Sequence, residues 1–206
     1  MRVEEIKGSQ RSKGRFLVRL EGGDTLRVTE DELLRFGLSA GMELDGDTLK
    51  VLRASAKASS AKAAAAELIG SRALSRKELT RRLVRKGNDE ADARAAADWL
   101  EGIGAVNDSE YAAALARHYG GKGYGPARVR EELRRRGIDR ELWDGALEEM
   151  PESEEILDQL IQKKCKGDLS DPKEIKRISG ALMRRGFGWS EVKAAMGRYT
   201  EMMDDD

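Results

Sequence analysis

Pro126-Ala127-Arg128-Val129-Arg130-Glu131-Glu132-Leu133-Arg134-Arg135-Arg136-Gly137 decides the fold. Val129 and Leu133 stand four residues apart, which places them on one face of a helix and fixes a single buried stripe. Gly137 follows as a candidate left-handed cap, and Arg135-Arg136 sit where the negative end of a helix dipole favours cations. The same frame recurs upstream as Leu79, Leu83, Arg85-Lys86 and Gly87, and downstream as Ile178, Leu182, Arg184-Arg185 and Gly186. The three glycines lie 50 and 49 residues apart, and one period used three times is the mark of a tandem repeat.

Each copy parses as three helices, with the glycine-capped helix in the middle. First helices are expected over 60–69, 108–118 and 153–166, and third helices over 89–101, 139–149 and 190–203. Asn88 or Asp89, Asp139 and Ser190 are the N-cap candidates for the third helices. Every copy carries one tryptophan, at 99, 143 and 189, and Trp99 and Trp143 are expected to anchor their cores.

The first 53 residues read differently. Phe16, Val18 and Leu20 alternate with polar neighbours, Gly22-Gly23 makes a turn, and Leu26 and Val28 resume the alternation, which predicts a β-hairpin. Thr29 and Glu32 form a capping box for a short helix with Leu33, Leu34 and Phe36, ended by Gly37. A second hairpin is expected with Leu44 on one side of Asp45-Gly46-Asp47 and Leu49 and Val51 on the other, and Ser55 to Ala66 reads as a linker passing into helix. The fold expected is mainly α: three tandem three-helix, helix-turn-helix-like repeats in an elongated array behind a small N-terminal α+β module. The expected division is 1–53, 54–105, 106–150 and 151–206.

Composition narrows the function. The 206 residues hold 38 Lys and Arg against 38 Asp and Glu, so the net charge is zero although 37% of the chain is charged. That excludes a simple polybasic tail, and aromatic content of 5% argues against one large aromatic core. The charged start, Met1 to Lys7, lacks a signal peptide's apolar segment, and no apolar run approaches a membrane span, so a cytoplasmic protein is expected. Cys165 is the only cysteine and His118 the only histidine, which rules out an internal disulfide, a thiolate zinc cluster and a two-histidine metal site. Ser-His-Asp and Cys-His arrangements are equally unmarked, so neither an enzyme nor a cofactor is expected.

Zero net charge conceals a segregation of sign. The three second helices hold 16 basic residues against 4 acidic, and the third helices, counted with the Asp204 to Asp206 run behind the last, hold 15 acidic against 4 basic. Pairing within the molecule accounts for part of this, although exposed pairs contribute only about 0–1 kcal/mol each. Successive helical residues turn by about 100°, so Arg81, Arg82, Arg85 and Lys86 cannot all face one neighbour, and some cations must point outward. Outward basic faces suit an extended polyanionic or acidic partner. In Gly120-Gly121-Lys122-Gly123-Tyr124-Gly125-Pro126 the lysine is followed by glycine and no strand precedes, which argues against a phosphate-binding P-loop. Pro126 fits the first turn of a helix, and backbone donors there, with Lys122, Arg128 and Arg130, are an alternative anion site.

Gly123-Tyr124-Gly125-Pro126-Ala127-Arg128-Val129-Arg130-Glu131-Glu132-Leu133, with the basic run and Gly137 behind it, resembles the signature of the RecX family, bacterial regulators of the RecA recombinase. Ser75-Arg76-Lys77-Glu78-Leu79 with Leu83, Lys86 and Gly87 is similar to the family's upstream motif, and Gly104 to Ala112 to its connection into the middle unit. The likeness is strong over about 65–150. The third copy diverges with an additional Gly167 to Pro172 stretch, residues 1–53 resemble a β-containing extension of some members, and Ala105 stands where a bulky aromatic is common. The resemblance implies a non-enzymatic inhibitor that binds the RecA–DNA filament and lowers ATP hydrolysis, strand exchange and co-protease activity, with a role in the SOS response. Joining several weak contacts in one chain raises effective concentration where spacing matches the target. The expected contact set is Lys122, Tyr124, Arg128, Arg130, Arg135 and Arg136 at the centre, extended by Arg82, Arg85, Lys86, Arg184 and Arg185. A monomer is expected, with weak contact to single- or double-stranded DNA. The alternatives are a stand-alone helix-turn-helix DNA-binding module, against which a sequence pI near 6.7 counts, and a purely structural scaffold.

Overall fold

The computed structural model describes residues 1–10, 14–165 and 171–204, and of 201–204 only the backbone. Alternating apolar residues build the first element group as expected. β2 (Arg15–Leu20) and β3 (Thr25–Thr29) pair antiparallel with Phe16 opposite Val28 and Val18 opposite Leu26. Gly22 and Gly23, both at positive φ, carry the turn between them. A third strand, β1 (Val3–Gly8), pairs with β2 to complete a sheet of order β1-β2-β3. Its sequence, Val-Glu-Glu-Ile-Lys-Gly, hides the strand, because Val3 and Ile6 are three apart, on opposite faces of a regular strand, and a register shift between Val3 and Glu5 brings both to one core. Thr29 and Glu32 form the capping box of α1 (Glu30–Arg35), and Gly37 takes the left-handed conformation that releases the chain.

The second hairpin is not formed. Asp45 instead caps α2 (Gly46–Ser71), its carboxylate accepting from the Thr48 N–H and Oγ1, both at 2.8 Å. Asp-Gly reads as a turn signal, but Asp followed three residues later by Thr is also a helix start, and the helix prevails. Ser55 to Ala66 is likewise not a linker but the middle of the 26-residue α2. Its alanines are the strongest helix formers, so low complexity here means helix rather than loop. One helix therefore crosses residues 53 and 54. Leu52 and Ala56 pack into the core beneath the sheet, while Ala61 and Ala65 belong to the core of the first repeat.

Residues 1–106 form one compact unit and 107–204 of the described chain another. In the first, α2 is followed by α3 (Arg76–Arg85) and α4 (Glu90–Gly102), whose core joins Leu74, Leu79 and Leu83 to Ala93, Ala96, Ala97 and Leu100. In the second, α5 (Asp108–Gly121), α6 (Pro126–Arg136) and α7 (Trp143–Glu148), the last entered through a 3-10 turn, enclose Ala112, Leu115, Ala116, Val129, Leu133, Ile138 and Ala146. α8 (Ser153–Lys164), α9 (Pro172–Arg184) and α10 (Trp189–Asp204) do the same around Leu157, Ile161, Ile178, Leu182, Phe187 and Val192. The third helix of the first copy starts after Asp89, which makes no side-chain capping bond, while Asn88 donates back to the Leu83 carbonyl at 2.9 Å. In the second copy Asp139 precedes a 3-10 turn without capping it and the α-helix begins only at Trp143; in the third, Ser190 lies inside α10 and the Glu191 carboxylate accepts from the preceding Gly188 N–H at 2.7 Å. Most of the Gly167 to Pro172 stretch, and the acidic Asp205 and Asp206, lie outside the described residues.

The tryptophans depart from expectation. Trp99 does not anchor a core: it is 38% exposed, with Lys62 Nζ 5.2 Å from its ring centre. The buried face of α4 is Ala93, Ala96, Ala97 and Leu100, and Trp99 lies outside that stripe. Trp143 is half-buried against its core and donates Nε1–H to the Ile138 carbonyl at 3.1 Å.

Candidate functional site

The six residues of the repeated apolar pair, Leu79, Leu83, Val129, Leu133, Ile178 and Leu182, are all fully buried. Each middle helix then ends by one device. Gly87, Gly137 and Gly186 have φ of +95°, +76° and +95°, and the next residue's N–H returns to the carbonyl of the last buried leucine. Those bonds are Asn88 to Leu83 at 3.1 Å, Ile138 to Leu133 at 3.0 Å and Phe187 to Leu182 at 3.4 Å. Only glycine adopts such a φ without cost, which is why the frame repeats.

With the leucine and glycine fixed, the two basic residues before each glycine have fixed and different fates. The residue next to the glycine turns back along the fold: Lys86 Nζ lies 3.9 Å from Glu67, Arg136 donates to the Tyr111 hydroxyl at 2.5 Å, and Arg185 stacks 5.6 Å from the Tyr124 ring centre. The residue before it is exposed in every copy. Arg85 and Arg184 make no ion pair among the described residues, while Arg135 reaches Glu132 at 2.6 Å. The hydrogen bond to Glu132, followed by its charge, pushes the Arg135 guanidinium above its usual range.

α6 carries the densest cations and sorts them by face. Glu132 is buried between Arg128, at 3.6 Å, and Arg135, and Arg128 also reaches Glu131 at 2.6 Å. Arg130 and Arg134, one turn apart on the opposite face, are exposed and have no ion pair among the described residues. Arg134 was not in the expected contact set; its spacing of four from Arg130 was the available signal. Lys122 is exposed, and Arg82 folds onto Glu78 at 2.6 Å, with both side chains mostly covered. Outward cations are therefore Arg85, Lys122, Arg130, Arg134 and Arg184, whereas Arg82, Lys86, Arg128, Arg135, Arg136 and Arg185 are engaged within their own units.

The glycine loop has a structural use that its sequence did not reveal. The Gly125 N–H donates to the Arg185 carbonyl at 2.9 Å and the Ala127 N–H to the Gly186 carbonyl at 3.0 Å. The positive end of α6 thus meets the negative end of α9, and the donors considered for an anion are occupied by carbonyls. A Cβ on Gly125 would strike the Gly186 backbone, and one on Gly186 would strike the Arg128 backbone, so two glycines permit the approach. Arg185 closes it by donating to the Gly123 and Lys122 carbonyls at 3.0 and 3.3 Å, over Tyr124, which is edge-on to Tyr119. Pro126 sits in the first turn as expected. Among the described residues, no group of three or more His, Cys, Asp and Glu side chains could hold a metal ion, and no helix is long and apolar enough to cross a membrane.

Three-helix repeats locked at their glycines, with arginines on the free face of the middle helices, define a helical-repeat protein carrying a small sheet module. Residues 107–147 match the second three-helix domain of RecX, and 152–196 match the third. Over 130 residues the chain is 35% identical to the regulatory protein RecX of Xanthomonas axonopodis pv. citri (strain 306), covering 62% of this chain and 80% of that one. The regulatory protein RecX of Oceanobacillus iheyensis is 26% identical over 215 aligned positions, covering all of this chain and 79% of its own. A crystal structure of a regulatory protein RecX shares the fold with TM-score 0.72 at 22% identity, over 94% of this chain and 98% of that one. A RecX from Lactobacillus salivarius superposes with TM-score 0.61 at 18% identity, over 71% and 97%. The chain belongs to the RecX family, whose members here are named as regulatory proteins.

Proposed function

We propose that this protein binds RecA recombinase–DNA filaments and lowers their ATP hydrolysis, strand-exchange and co-protease activities, working without catalysis of its own as a cytoplasmic monomer. The observation that carries the reading is the free basic ridge of Arg130 and Arg134 on α6, beside arginines that are all engaged elsewhere. Like charges one turn apart cost about 0.2–0.5 kcal/mol to hold together, a repulsion that a polyanionic partner relieves, and they attract such an assembly over a Debye length. Arg85 in the first repeat and Arg184 in the third offer the same chemistry. Arg128 can exchange the exposed Glu131 for a partner's groups at small cost, whereas Arg128 and Arg135 together neutralise the buried Glu132 and are held there.

The test is the single-stranded-DNA-dependent ATPase of the recombinase, titrated with this protein. Inhibition supports the reading, and its dose distinguishes the mode: action well below one copy per recombinase means capping of filament ends, and action near parity means occupation along the filament. Absence of inhibition, together with tight, steeply salt-dependent binding to naked DNA, would instead establish the stand-alone DNA-binding module.

A further inference from the structure

Within the first unit, a cleft of about 1010 Å³ opens between the start of β2, the end of β1, and the second half of α2 with the end of α3. Lys7, Arg15, Arg27 and Lys86 line it, and Glu67 is the one carboxylate among its lining residues. We propose that this cleft is a binding site for a phosphodiester chain, separate from the arginines of the middle helices in the second unit. The inference rests on the reading above for the nature of the polyanion and assigns it a place in the N-terminal module.

The strand register places Lys7 opposite Leu17 and Leu17 opposite Arg27, so the two cations occupy one row across three strands. Arg15 is fixed on α2, donating to the Ser59 carbonyl at 2.6 Å and its Oγ at 3.1 Å, and Ser59 in turn donates to the buried Glu32 at 3.2 Å. That leaves Arg15 a positioned donor rather than a freely moving one. Arg27 has no ion pair among the described residues, and Lys86 meets Glu67 only at 3.9 Å. Lys7 pairs with Glu5 at 2.8 Å, but at an exposed site where the pair exchanges readily.

Cations spread along an open cleft select a ligand with repeated negative charge. A single small anion would satisfy one or two of them, whereas successive phosphates of a nucleic-acid strand satisfy all four and release their counterions. Gly8, Ala63 and Ala64, residues with little or no side chain, also line the cleft beside the cations.

The test uses the full chain without recombinase. Fluorescence anisotropy of a labelled 20-mer oligodeoxythymidylate is measured from low to moderate NaCl for the wild type and for a Lys7→Ala, Arg27→Ala double variant, with folding checked by circular dichroism. The expected result is salt-dependent wild-type binding, a loss of affinity of about tenfold or more in the variant, and a log–log salt slope shallower by about 1.4, two single-strand phosphate contacts. Competition by an unlabelled duplex tells whether single or double strands supply the phosphates. No wild-type binding, an unchanged slope in the folded variant, or preferential displacement by polyglutamate overturns the inference. Failure to inhibit the recombinase bears on the reading above and leaves these oligonucleotide measurements as they stand.

Discussion

Gly125 and Gly186 meet backbone to backbone, and that contact converts a recognisable motif into a joint between two helix ends. Gly125→Ala is expected to destabilise the second unit by about 1–3 kcal/mol, the usual range for forcing a methyl group into filled space. Gly145→Ala, in α7 with open space around it, should be neutral or stabilising by up to about 1 kcal/mol. Thermal unfolding of the two variants side by side checks the contrast. The motif's residues were legible in the sequence but its purpose was not, because the carbonyls that receive Gly125 and Ala127 lie some 60 residues away along the chain. Glu32 shows the same division. Its capping box with Thr29 was readable, yet its further bonds from Ser55 at 2.6 Å and Ser59 depend on how α2 crosses the sheet. Burial raises its carboxyl pKa, but the hydrogen bonds from Ser55, the Thr29 amide and Ser59 outweigh it and leave the pKa below the ordinary 4.5. A depressed folded-state pKa gives stabilisation that is complete above the unfolded value and fades as pH falls through the folded one. The stability gap between wild type and Glu32→Gln, read from exchange of the β2 and β3 amides, should therefore narrow from pH 6 towards pH 3. A gap constant with pH would contradict the assignment.

At the scale of elements, the sequence was most reliable where one physical demand dominated. The middle helices and their caps were clear because an apolar pair four apart, a cation and a glycine all point to one geometry. Over 44–66 the signals conflict: Asp-Gly suggests a turn and Ala-Ser-Lys a linker, while the Asp45 cap and helix propensity favour the α2 that forms. The consequence is mechanical, since one helix contributes to the sheet core through Leu52 and Ala56 and to the first repeat through Ala61 and Ala65. Ala58→Pro, harmless in a linker, is expected to cost about 3 kcal/mol or more and to weaken both groups together. Hydrogen exchange checks this: β2, β3 and α4 amides should all lose protection. Loss in only one of them would show that the two halves of α2 are supported independently.

For the molecule as a whole, the sequence predicted that zero net charge conceals outward cations, and the described residues divide them. Of the expected contact set, six cations are engaged within their own units, through carboxylates, tyrosines or loop carbonyls, while Lys122, Arg85, Arg130 and Arg184 point outward and are joined by Arg134, outside that set. Which member of each basic pair faces out follows from its distance to the glycine, a rule that became visible only once the caps and the tyrosines opposite them were located. The account's central claim is that these four arginines are what a recombinase filament meets. The direct measurement is recombinase ATPase inhibition by the variant in which Arg85, Arg130, Arg134 and Arg184 are all alanine. Exposed substitutions without partners change stability by about 0.5 kcal/mol or less each, so the fold should persist. The account predicts that at least tenfold more of the variant is needed for the same inhibition; full inhibition at the wild-type dose by a folded variant would contradict it.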